Sequence, residues 1–141
     1  MKRTAGARVW IDTSALLALA SPRDQYHARA VALAEAHRRS GGRWVGSVMI
    51  LDEMHRAILY RAGSGVAGST VSRLMADPSI EWMDVTTKIA SAAVSAWLER
   101  FQDQHFSLTD AVSFELMTRA RLTDAFAFDR HFTVAGFRLL G

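Results

Sequence analysis

Short apolar runs, each long enough for one β-strand, alternate along this chain with longer helical stretches. That alternation constrains the fold more than any other feature. Strands and helices in this order close as right-handed βαβ units, because a right-twisted strand feeding a right-handed helix packs back onto its sheet in one hand only. The expectation is an α/β chain with a mostly parallel sheet covered on both faces.

Val9-Trp10-Ile11 reads as a buried strand that stops at Asp12. Helices are expected over 13–20, ended by Pro22, and over 24–39, closed by Gly41-Gly42. Trp44-Val45-Gly46 is a weak strand, and Ser47 suits the N-cap of a helix over 48–61 that Gly63 and Gly65 stop. A helix over 66–75 and a strand over 80–85 follow. Ile89, Ala93, Val94, Trp97, Leu98 and Phe101 form the clearest stripe of period 3.6. The helix over 108–121 is apolar on most faces, which places it centrally. Residues 125–128 read as a strand stopping at Asp129, and 137–140 as a last strand. No repeat or linker interrupts the pattern. Residues 1–141 therefore read as one domain, with half of them apolar and enough for a core.

Seventeen basic and fourteen acidic residues leave a net charge of +3, which suits a polyanionic partner without requiring one. The absence of cysteine excludes disulfides, zinc–thiolate sites and thiol nucleophiles, and fits a reducing cytoplasm. Met1-Lys2-Arg3, the apolar run after it and Ala18-Leu19-Ala20 imitate a signal peptide. Asp12 breaks that run in its middle, where a charge opposes membrane insertion. A cytoplasmic chain without membrane association is expected.

Ligand sites of open parallel sheets form at the carboxyl ends of strands, where strand order reverses. Asp12 and Asp129 each follow a short apolar strand, so both should emerge at that edge. Glu53 lies in the first half of its helix, beside the apolar set Leu51, Met54 and Ile58, and Asp110 opens the central helix. Four carboxylates from four elements could converge there. Without lysine or arginine among them they repel, unless a cation sits between them. Hard divalent ions with oxygen ligands, Mg²⁺ or Mn²⁺, meet that need and support phosphodiester hydrolysis. Each acid also has a plainer role. Asp12 in Asp12-Thr13-Ser14 can cap a helix, and Asp110 can close a capping box with Ser107. Glu53 can pair with Arg56, and Asp129-Arg130 can form a turn.

Taken as a set, the segments resemble the PIN-domain family, and closely its VapC branch of toxin–antitoxin nucleases. Val9-Trp10-Ile11-Asp12-Thr13-Ser14, Ser47-Val48-Met49-Ile50-Leu51-Asp52-Glu53, Ser107-Leu108-Thr109-Asp110-Ala111-Val112-Ser113-Phe114 and Phe126-Ala127-Phe128-Asp129-Arg130-His131-Phe132 carry the resemblance, in the family's order. It implies a three-layer α/β/α fold and RNA cleavage with Mg²⁺ or Mn²⁺. Asp12, Glu53, Asp110 and Asp129 become the catalytic set, with Asp12 and Asp110 as the metal ligands. Glu53 and Asp129 become further ligands or groups that orient waters, and Thr13 or Ser14 hydrogen-bonds near metal or phosphate. Asp52 beside Glu53 leaves a slip of one residue open; the family register from Ser47 favours Glu53. The resemblance also implies a homodimer and a cognate antitoxin.

His131 reads first as a packing or turn residue, with protonation of the leaving oxygen as its alternative role. Arg23, Arg38, Arg39, Arg43, Arg56 and Arg130 are candidates for phosphate contacts. A haloacid-dehalogenase-like phosphatase would need an acid where Ser14 stands. A receiver domain would need a late lysine, and lysine occurs only at 2 and 88. No glycine-rich phosphate loop with lysine exists. The alternative from another class is a catalytically silent PIN fold that binds RNA or protein.

Overall fold

The structure is a computed structural model that describes residues 6–141. The chain runs β1 (Arg8–Ile11), α1 (Thr13–Ala20), α2 (His27–Arg39), β2 (Arg43–Ser47), α3 (Val48–Ala62), α4 (Ser64–Ala76), β3 (Ile80–Met83) and α5 (Thr87–Ala93). It continues through α6 (Leu108–Arg119), β4 (Asp124–Phe126), α7 (His131–Val134) and β5 (Arg138–Leu139). The sheet order is β3-β2-β1-β4-β5, and every pairing is parallel.

From β1 the chain steps to β2 and β3 in one direction, then crosses back to β4 and β5 on the other side of β1. With right-handed crossovers, that reversal puts α1 to α4 on one face and α5 to α7 on the other. Helix contacts respect the division: α1 packs on α2 and α3, and α3 on α4, whereas α6 packs on α5 and α7. The result is the expected α/β/α arrangement, with its switch point between β1 and β4.

Val9, Trp10 and Ile11 are all buried, which explains why β1 is a continuous apolar run rather than an alternating one. Ala111, Val112, Phe114, Leu116 and Met117 of α6 are buried too, so this helix is central as its composition predicts. Burying a side chain such as Phe114 contributes roughly 1.5–3 kcal/mol over leaving it exposed. This packing fixes α6 against the sheet and so positions Asp110 at its start.

Four local departures matter. The helix expected from residue 24 begins at His27, because the Asp24 carboxylate accepts the Tyr26 N–H and holds a turn. The stripe over 89–101 is not one α-helix: α5 passes into a π-helical segment, Val94–Glu99, that sets Trp97 against Phe101 and Phe114. The strand expected over 125–128 stops at Phe126. The Asp12 N–H takes the Phe126 carbonyl, and the Phe128 N–H turns to the Ser14 hydroxyl instead of a strand. Asp129 therefore lies in the loop beyond β4 and not directly at its end. The short α7 has no counterpart in the sequence reading.

Lys2 and Arg3 of the signal-like pattern lie outside the described residues, and the apolar run after them divides into β1 and α1. Among the described residues, no helix is long and apolar enough to cross a membrane.

Candidate active site at the sheet switch point

Asp12 is the N-cap of α1 and is only 5% exposed. Its Oδ2 accepts the Ser14 N–H at 3.1 Å and the Ser14 hydroxyl at 2.6 Å. The same hydroxyl accepts the Phe128 N–H at 3.0 Å, tying the start of α1 to the loop after β4. Burial pushes the Asp12 carboxyl up to about 6; the Ser14 hydrogen bonds oppose this, and the Asp110 and Glu53 charges add to it.

Glu53 sits on α3, whose Ile50, Leu51, Met54 and Ile58 are buried. The Thr13 hydroxyl donates to Glu53 Oε1 at 2.8 Å. Burial raises the Glu53 carboxyl above its ordinary value; the Thr13 bond lowers it, and the Asp110 charge raises it again. Its neighbour Asp52 lies outward and pairs with Arg56 at 3.1 Å. The surface ion pair that could have held Glu53 thus belongs to Asp52, as the roughly 100° helical offset between the two residues allows.

Asp110 closes a capping box with Ser107: the Ser107 hydroxyl accepts the Asp110 N–H, and Asp110 Oδ2 accepts the Ser107 N–H at 3.0 Å. The same Oδ2 contacts His131 Nδ1 at 2.9 Å. Asp129 Oδ1 accepts the His131 N–H at 2.9 Å and lies 3.4 Å from the imidazole Nδ1. Asp110, Asp129 and His131 each offer a ligand atom within 4.8 Å of the others, a group able to hold a metal ion.

The structure thus forms two clusters at one edge. Asp12 and Glu53 are held by the hydroxyls of Ser14 and Thr13, and Asp110 and Asp129 meet at His131. The charge of Asp110 reaches both Asp12 and Glu53. The plainer roles of Asp12 and Asp110 as caps hold as well, yet they occupy only half of each carboxylate. Asp12 spends Oδ2, Glu53 Oε1, Asp110 Oδ2 and Asp129 Oδ1 on structural hydrogen bonds; each second oxygen accepts none from the described residues. No described lysine or arginine hydrogen-bonds to or ion-pairs with any of the four. Open carboxylate oxygens with one imidazole suit a hard divalent cation.

His131, read from the sequence first as a packing or turn residue, joins Asp110 and Asp129 in this group, and its place two residues after Asp129 is the available signal. A separate groove of ≈ 540 Å³ runs between the end of α1, α3 and α4, and none of the four acids lines it.

The family model of the PIN domain matches residues 9–138. No curated protein shows significant sequence similarity to the chain. Among solved structures, the chain is similar to VapC20 of Mycobacterium tuberculosis, a toxin that cleaves the sarcin-ricin loop. The identity is 27%, the TM-score 0.82, and the match covers 92% of this chain and 95% of that one. It also shares its fold with a chain of VapBC2 from Rickettsia felis bound to a promoter DNA fragment. There the identity is 12%, the TM-score 0.63, and the coverage 94% and 96%. With the family model spanning nearly all of the described residues, this chain belongs to the PIN domain family.

Proposed function

We propose that the chain is a single-domain, metal-dependent endoribonuclease that hydrolyses RNA phosphodiester bonds and serves as the toxin of a VapBC-type pair. The observation that carries this reading is the set of four carboxylates at the switch point, each with one oxygen uncommitted and none hydrogen-bonded to or ion-paired with a described lysine or arginine. The similarity to the RNA-cleaving toxin VapC20 supports the substrate class.

In this reading Asp12 and Asp110 would hold Mg²⁺ or Mn²⁺, and Glu53 and Asp129 would complete the site or orient waters. When bound, the cation supplies positive charge against the phosphate and acidity to an attacking water. The chain's own residues do the rest. Ser14 and Thr13 fix the Asp12 and Glu53 carboxylates through one oxygen each and leave the other without a hydrogen bond from the described residues. His131 and the Ser107 N–H do the same for Asp110. Carboxylates held in this way need no reorganisation when the cation and RNA arrive.

The partner reading follows from the same charge. An acidic focus attracts a planar guanidinium, which can satisfy two carboxylate oxygens at once. A cognate antitoxin with a basic segment over the edge would therefore compete with metal. The VapBC2 assembly, a structural neighbour, supports such a partner, and a homodimer is part of the same reading.

The direct test is cleavage of total RNA by the purified chain with Mn²⁺ and with EDTA. Cutting that needs the metal and is lost in Asp12→Asn is expected; intact RNA under both conditions would leave a silent binding module. Growth arrest on expression, removed by Asp12→Asn and rescued by a neighbouring gene product, would support the toxin assignment. A harmless, abundant wild-type chain would remove it.

A further inference from the structure

At the same sheet edge, Tyr26 and Phe128 form an aromatic stack that the metal chemistry does not use. Their ring centroids are 4.6 Å apart and their planes differ by 3°. Tyr26 is 41% exposed, and its hydroxyl makes no hydrogen bond to a described residue. Phe128 directly precedes Asp129, and its N–H is held by Ser14, the partner of Asp12.

The pair is rigidly mounted. Phe128 meets Phe126 edge to face at 6.0 Å, and the buried Phe126 stacks on Trp44 at 4.9 Å. Tyr26 is held on both sides in sequence: its N–H bonds Asp24, and His27 Nδ1 contacts the Ala18 carbonyl at 2.8 Å. An aromatic column thus rises from the core and ends in a ring in water, beside the acid edge.

Two arginines lie close to the pair in sequence. Arg23 and Arg130 are exposed and take part in no ion pair with a described residue, whereas Arg38 and Arg39 are bound to Glu35 and Arg56 to Asp52. Arg23 lies three residues before Tyr26, and Arg130 follows Asp129.

We propose that the Tyr26–Phe128 stack is a platform for an unpaired nucleobase of the RNA strand, with Arg23 and Arg130 taking phosphates on either side. The assignment rests on the ribonuclease reading and deepens it, from RNA in general to a single-stranded segment splayed onto an aromatic ring. Stacking of this kind tolerates any base, because every base has a π-face. The platform would therefore set where a strand lies and leave sequence choice to other contacts.

The ring pair also packs the first turn of α2 against the loop after β4, and the test must separate that role. The measurement is anisotropy of a labelled single-stranded RNA oligonucleotide on the Asp12→Asn chain with Mg²⁺, in which binding is read without cleavage. Adding Tyr26→Ala should weaken binding by roughly tenfold, and Tyr26→Trp or Tyr26→Phe should stay within about twofold. Tyr26→Leu, which keeps apolar packing, should lose binding as Tyr26→Ala does while melting like the parent. An oligonucleotide made abasic throughout should not distinguish these variants. Equal affinity of Tyr26→Ala and parent, full binding by Tyr26→Leu, or no RNA binding by the parent overturns the proposal. So does a Tyr26 effect confined to a protein partner. Wild-type cleavage with Mn²⁺ is scored separately: a chain that binds through Tyr26 but cuts nothing keeps the platform and loses the nuclease.

Discussion

The two halves of the acid edge solve the same electrostatic problem differently. Asp12 and Glu53 are withdrawn from water and held by neutral hydroxyls, so burial raises both carboxyls, and the only cationic charge that opposes this is that of Arg56, at Glu53. Asp110 and Asp129 sit at helix starts, where backbone N–H groups and the His131 imidazole meet their charge. The first pair is a liability to the metal-free fold that only a proton or a cation relieves. The second pair belongs to the local architecture and would be capped whether or not a cation binds. The contrast teaches that a cap and a ligand are not rival roles here, because each carboxylate has two oxygens and the structure uses one.

The largest expected effect comes from the buried half. Asp12→Asn should lower RNA cleavage by roughly a thousandfold or more, the scale of a group acting in the transition state. The variant should fold, since an amide still accepts the Ser14 bonds and repulsion is relieved. Initial rates on a defined RNA, with circular dichroism as the folding control, check this; retained cleavage would make the two halves equivalent.

A pH titration of stability sharpens the contrast. Asp12 ionises near its ordinary 3.8 in the unfolded chain but at about 6 when folded. Between those values the folded chain keeps a proton that the unfolded chain has lost, so stability without metal falls as pH rises. The total is about 3 kcal/mol across the window. Chemical denaturation in EDTA from pH 4 to 7 reads it. Asp12→Asn should remove this component, and saturating Mn²⁺ should offset it, because the cation takes the proton's place.

Ser14→Ala should cost about 1–3 kcal/mol, since the Phe128 N–H and the Asp12 carboxylate both lose a partner. Cleavage should fall with it; thermal melts and rates together test the claim. In the other half, His131→Asn should weaken Mn²⁺ binding by about tenfold through a looser Asp110, with a smaller effect on melting. Calorimetric titration measures that. The smallest effect belongs to Asp52→Asn, whose pair with Arg56 is exposed on both sides. Stability should move by no more than about 0.5 kcal/mol, with cleavage unchanged. A large loss there would shift the site by one residue.

Much of this protein could be read before any coordinates. The apolar runs at 9–11 and 44–46, the caps Asp12 and Ser47, and the all-round apolar helix after Ser107 carry their signals locally, through strand burial, capping and helical period. They were sufficient for an α/β chain with a parallel sheet and for naming four acids at candidate positions. The end of β4, the π-helical segment and α7 were not legible. At the first two, a distant group competes with the local pattern: Ser14 takes the Phe128 N–H, and Trp97 packs on Phe114.

The sequence by itself determined which residues could bear charge at strand ends and helix starts, because these depend on near neighbours along the chain. Only the tertiary structure decided which oxygen of each carboxylate stays open, that the Thr13 hydroxyl holds Glu53, and that His131 joins Asp110. It alone stacked Tyr26 on Phe128. The Tyr26–Phe128 contact joins residues 102 positions apart, and no local periodicity encodes it. It arises when the β1–β4 pairing brings two remote segments to one edge.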